Sequence, residues 1–103
     1  MKKDLLEIIQ KHGVVNQLKY MQTEMCEFIT AVSEYEYAKR NGDVKNLYIL
    51  TENMTEEYAD VTMMLEQFVE YYGLDKERIR TIKANKAKRE LGRLNKLEEE
   101  KWF

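Results

Sequence analysis

Residues 18–35 read LKYMQTEMCEFITAVSEY, and residues 54–72 read MTEEYADVTMMLEQFVEYY. In the first stretch Leu18, Met21, Met25, Phe28, Val32 and Tyr35 recur at alternating steps of three and four. In the second, Met54, Tyr58, Val61, Leu65, Phe68 and Tyr72 do the same. That spacing lines one face of an α-helix, whereas strand side chains change face at every residue. A shift of 33 positions superposes the two stripes, so that Met21 falls on Met54, Phe28 on Val61 and Tyr35 on Phe68. The repeat predicts two helices packed stripe to stripe as an antiparallel hairpin, the core of an all-α bundle.

The rest of the chain is punctuated by glycine. Gly13, Gly42 and Gly73 each follow a periodic stretch, and glycine enters the left-handed region that ends a helix at no steric cost. The expected elements are a short amphipathic helix over 2–12 and a long helix over 14–40. A turn follows at Asn41-Gly42-Asp43, then a short helical turn over 44–50. A third helix is expected to begin after Asn53, with Glu56 completing a capping-box spacing, and to end at Tyr72. A fourth is capped by Asp75, runs towards Glu99 and contains Gly92. No linker or low-complexity stretch interrupts 1–103, which reads as one domain of four main helices.

Composition agrees. The 103 residues hold no proline and only four glycines, which excludes a turn-rich β-sandwich. One cysteine, Cys26, cannot form an internal disulfide, so nothing points to an oxidising compartment. No apolar run approaches the roughly 18–20 residues of a transmembrane helix. Asp4 and Glu7 interrupt any signal-peptide core, so a cytoplasmic protein without membrane contact is expected. A chain this short buries a modest core, which points to a homo-oligomer, a dimer or a tetramer.

The shift that aligns the stripes also aligns acids, placing Glu24 on Glu57 and Glu27 on Asp60. Each helix thus carries acid-x-x-acid at one angular offset from its stripe, with Cβ atoms roughly 5–6 Å apart. In a hairpin both pairs sit on the shoulder of the interface and can converge into four carboxylates. Such a cluster repels itself unless a cation or shared protons offset the charge. Its hard oxygen ligands suit Mg²⁺ or Mn²⁺. Acids also gather on solvated faces without function, as Glu98 and Glu99 do. A di-iron bundle would need Glu-x-x-His motifs. The sole histidine, His12, lies outside both helices and suits a helix C-terminus.

Glu24-Met25-Cys26-Glu27-Phe28-Ile29, followed by Glu56-Glu57-Tyr58-Ala59-Asp60-Val61, resembles the signature of the MazG-type nucleoside triphosphate pyrophosphohydrolases. That all-α superfamily also includes the dimeric dUTPases. Lys86-Ala87-Lys88-Arg89, with Arg93 after it, resembles the basic segment that follows in the family. The resemblance spans roughly Leu18 to Leu94. It implies that Glu24, Glu27, Glu57 and Asp60 are magnesium ligands and that Lys86 and Arg89 contact a triphosphate. It also implies cleavage between the α and β phosphates of a nucleoside triphosphate, in nucleotide-pool housekeeping. Many members carry a further glutamate just before the first motif, where this chain has Thr23. Its role is either unfilled or taken by Glu56, beside Glu57 in the implied catalytic pair. The insert between the two motifs is also rather long.

The net charge of −2 hides an asymmetry. Residues 1–75 hold 7 basic and 14 acidic side chains, and residues 76–103 hold 10 and 5. An acidic cradle and a basic helix suit a cation and a polyphosphate. Basic residues all round a helix are also simply solvated, or bind nucleic acid. The acidic remainder would repel a duplex, so no nucleic-acid partner is expected. Of the tyrosines, Tyr35, Tyr58 and Tyr72 read as core or interface aromatics. One of Tyr20, Tyr37, Tyr48 or Tyr71 is available to stack on a base. Trp102 and Phe103 are either frayed or docked on a neighbouring subunit. A non-catalytic helical homo-oligomeric module, with the stripes as association seams, is the alternative reading.

Overall fold

A computed structural model describes residues 1–101, and Trp102 and Phe103 lie outside the described residues. The elements are α1 (Lys2–His12), α2 (Val14–Arg40), a 3-10 turn (Val44–Asn46), α3 (Leu47–Tyr72) and α4 (Lys76–Lys101). No strand occurs among the described residues, and none of the helices is long and apolar enough to cross a membrane. Met1–Tyr72 forms one compact unit and the chain from Gly73 onward a second.

In the first unit α2 and α3 pack as an antiparallel hairpin. Gln17 meets Gln67, Glu24 meets Asp60, and the Phe28 and Tyr58 rings lie 6.0 Å apart, so numbers rise on one helix as they fall on the other. The reversal uses Gly42, whose φ of 71° is open to glycine at little cost. Asn46 then donates to the Asp43 carboxylate at 2.8 Å. α3 begins at Leu47, directly after that turn and before the expected start after Asn53. Thr51 and Thr55 lie inside it and donate to the carbonyls of Leu47 and Thr51.

The seam lies one position away from the expected stripe. On α2 the line Gln17, Met21, Glu24, Phe28, Ala31, Tyr35 and Ala38 is turned inward, and Val14 and Val32 are half-buried beside it. This line also alternates steps of four and three, and it shares Met21, Phe28 and Tyr35 with the apolar stripe. Ala31 and Ala38 are 2% and 7% exposed, and their small side chains let α3 approach closely. On α3 Val61, Met64 and Gln67 are buried, with Met54, Glu57, Asp60 and Phe68 half-buried. Leu18, Met25, Tyr58, Leu65 and Tyr72, expected in the seam, are exposed.

α1 covers one end of this hairpin. Leu5 and Ile9 are buried, each contributing about 1.5–3 kcal/mol of transfer free energy. Lys2 pairs with Glu70 of α3 at 3.8 Å. Gly13, with φ 86°, breaks the helix between α1 and α2. Beneath α1 lies a buried polar layer: Gln17 Nε2 donates to Gln67 Oε1 at 2.7 Å, and Gln67 Nε2 points at Met64 Sδ, 3.6 Å away.

The second unit is α4, capped by Asp75, whose Oδ1 accepts from the Arg78 backbone N–H at 3.1 Å. Glu77 pairs with Arg80 and Glu90 with Arg93 along its surface. Ile79 is its only half-buried residue among those described.

Candidate metal centre

The seam shift decides where the acids stand. Glu24 and Glu57 lie on the inward lines of α2 and α3, at matched levels of the hairpin, and both are half-buried. Asp60 follows Glu57 by three residues and faces the same gap. One oxygen from each of Glu24, Glu57 and Asp60 lies within 4.8 Å of the others. Glu27 is exposed at the mouth and close enough to hydrogen-bond both Glu24 and Glu57. All four acids singled out in the sequence therefore converge. They do so within the seam, where only a shoulder position was expected.

Burial and repulsion act together on them. Desolvation first, then the charges of Glu27 and Asp60, raise the Glu24 carboxyl above its ordinary value. Glu57 is raised by desolvation first and then by Glu27, with Asp60 and Glu56 contributing. Glu24 Oε2 and Glu57 Oε2 are shielded from solvent and accept no hydrogen bond among the described residues. A shielded acceptor without a partner is destabilising. Two of them facing one gap form a site short of positive charge.

The donor set fits a small hard cation. Mg²⁺ takes oxygens at about 2.1 Å and keeps several of its waters, so carboxylates spaced as these are can hold it partly through bound water. Thr23 is exposed and adds no carboxylate, its hydroxyl donating to the Lys19 carbonyl at 3.4 Å. Glu56, one residue before Glu57, is exposed and outside the triad. Lys86 and Arg89 are exposed on α4, three residues apart on one face of the second unit.

Two features were missed in the sequence. Gln17 and Gln67 are among the most buried side chains, at 3% and 1% exposure. Gln17, Glu24, Ala31 and Ala38 recur every seventh residue, a heptad line that would have located the seam. The second is a groove of about 640 Å³ where α2, the turn and α3 meet. Comparison with protein-family models, curated proteins and solved structures gives no match to this chain. The resemblance to MazG-type enzymes rests on the residues quoted above.

Proposed function

We propose that the protein hydrolyses (deoxy)nucleoside triphosphates to the monophosphate and pyrophosphate in a Mg²⁺-dependent reaction, with Mn²⁺ as a substitute. The observation that carries this reading is the convergence of Glu24, Glu57 and Asp60 with two buried oxygens lacking partners. Bound there, Mg²⁺ would supply phosphoryl polarisation and a bound water of lowered pKa. Glu24, Glu27, Glu57 and Asp60 would hold it. Glu57, with Glu56 beside it, would orient the water that attacks the α-phosphorus and take up its proton. Lys86 and Arg89 would neutralise charge on the departing pyrophosphate. The P–O bond to the β-phosphate breaks as the bond to water forms. The role suits a cytoplasmic housekeeping enzyme.

A screen of nucleoside triphosphates for pyrophosphate release tests this directly. Release should require Mg²⁺ or Mn²⁺ and vanish in Glu57→Gln and in Asp60→Asn, both still helical by circular dichroism. Activity surviving both changes removes the cluster from the site.

A second reading is supported by the apolar face. Met25 lies about 100° round α2 from Glu24, so the acids and the displaced stripe point in different directions. Leu18, Met25, Ile29, Tyr58 and Leu65 are 44–60% exposed, a large apolar display for a hairpin with a polar seam. The occupant we propose is a second copy, giving a dimer or tetramer. The face would serve an enzyme or a non-catalytic association module alike. Melting with Mg²⁺, with and without nucleotide, separates these, since a ligand of the native state must raise the melting temperature.

A further inference from the structure

The groove at the turn end of the hairpin has not entered the chemistry so far. Its α2 wall carries Ile29, Thr30, Ser33, Glu34 and Tyr37, and its α3 wall Ile49 and Leu50. Its volume of about 640 Å³ falls within the usual range of small-ligand sites, about 300–1,000 Å³. Thr30 and Glu34 follow Glu27 by three and seven residues, so groove and acidic cluster open on the same face of α2. Glu34 lies about 10 Å along the helix axis from Glu27, on the order of the length of a nucleoside from its 5′ oxygen to the far edge of its base.

Charge fixes which end of such a ligand enters. Glu34 and Asp43 line the groove with no basic residue, so a polyphosphate is repelled from it and drawn to the cation. Asp43 already accepts from Asn46 at 2.8 Å, and the Ser33 hydroxyl donates to the Ile29 carbonyl at 2.8 Å. Glu34 is the remaining carboxylate of the lining. Tyr37 is 72% exposed on the same wall, an aromatic platform with nothing stacked on it among the described ring contacts.

Resting on the hydrolase reading above, we infer that this groove is the nucleoside subsite of that enzyme, selecting bases with an exocyclic amine at the position of cytosine N4 or adenine N6. Tyr37 stacks on the base, and Glu34 accepts from that amine of cytosine or adenine. Uracil, thymine and guanine present a carbonyl oxygen at the corresponding position and meet Glu34 with lone pair against lone pair. A carboxylate–amine contact discriminates by about 10- to 100-fold, and the open groove puts the expectation at the lower end, about tenfold. Base–aromatic stacking is tolerant of sequence, so Tyr37 contributes to every substrate alike.

The test is kcat/KM for pyrophosphate release from the cytosine, adenine, guanine, uracil and thymine triphosphates, measured on the full chain. In the wild-type protein cytosine and adenine should lead guanine, uracil and thymine by about tenfold. Glu34→Gln, whose amide also donates, should narrow that ratio. Tyr37→Ala should raise KM for all bases together. Equal kcat/KM across bases in the wild type, or a Glu34→Gln loss shared equally by all five, overturns the groove assignment while leaving the hydrolase standing. No release from any of the five overturns the hydrolase reading and this inference with it.

Discussion

Without a bound cation the protein should be most stable in mild acid. Glu24 and Glu57 both have carboxyls raised above the ordinary value of 4.5 in the folded chain. Below that pH the unfolded chain is also largely protonated, so folding keeps the benefit of neutral acids in the seam. As the pH rises towards the raised folded values, the unfolded chain releases its protons first. The native state then binds more protons than the unfolded one, and stability falls with increasing pH. Under the proposed reading Mg²⁺ should reverse the trend, because it would bind the deprotonated cluster and compete with those protons. At ten times its dissociation constant a cation adds about 1.4 kcal/mol, and at a hundred times about 2.7 kcal/mol. For a chain of this length 1 kcal/mol moves the melting temperature by about 4–8 °C, so the tenfold condition predicts a rise of about 6–11 °C.

The assay is thermal unfolding by circular dichroism from pH 4.5 to 8, in chelator and in Mg²⁺. The chelated wild type should lose melting temperature as the pH rises from 4.5 through the raised Glu24 and Glu57 values and level off above them, and the Mg²⁺ increment should grow over the same range. Glu24→Gln places a neutral amide in the seam at nearly unchanged volume. It should flatten the chelated profile and remove most of the increment. A wild-type profile that rises with pH in chelator, or one that Glu24→Gln leaves unchanged, would refute the link between burial, repulsion and proton uptake. A flat response to Mg²⁺ and Mn²⁺ at every pH would refute the cation site.

Other outcomes follow from the same structure. Lys86→Ala and Arg89→Ala should each raise KM for the triphosphate, and steady-state kinetics with an unchanged KM would exclude both from the site. Ile9→Ala, at a position with no exposed surface, should cost about 2–5 kcal/mol in chemical denaturation and loosen α1 from the hairpin. Met25→Lys should shift sedimentation towards the monomer with little loss of helix. An unchanged sedimentation coefficient would show that this face is not the association surface.

How far the sequence reveals the fold depends on which property carries the signal. Helix positions were legible because Gly13, Gly42 and Gly73 sit where the backbone needs positive φ. The start of α3 was not, because the helix follows directly on the 3-10 turn at Val44–Asn46, six residues before the capping spacing at Asn53. The convergence of Glu24, Glu27, Glu57 and Asp60 was legible from the 33-residue repeat, which needs only that the two helices pair. The seam itself was not. Hydrophobicity points to the Leu18–Met25–Val32 side of α2, whereas Ala31 and Ala38 let the helices touch through small residues that an apolar stripe overlooks. The same one-position shift moved the acids from a shoulder into the interface.

That shift bears on why the hairpin tolerates its acids at all. Two polar levels interrupt the seam, and they are built differently. At Gln17 and Gln67 one amide hydrogen bond spans the interface and one orphaned acceptor, Gln17 Oε1, remains. The groups are neutral, their net charge does not change with pH, and the contact ties α2 to α3 in a single register, the best-attested use of a buried polar residue between helices. Two turns along α2, Glu24 and Glu57 supply acceptors alone, with Glu27 and Asp60 adding to the same charge. No register function needs four carboxylates, since one amide pair already provides it. Gln or Leu at Glu24 and Glu57 would give a more stable isolated hairpin. The acidic level makes physical sense where a cation enters the gap, and that places the cost of the seam and the proposed chemistry at the same residues.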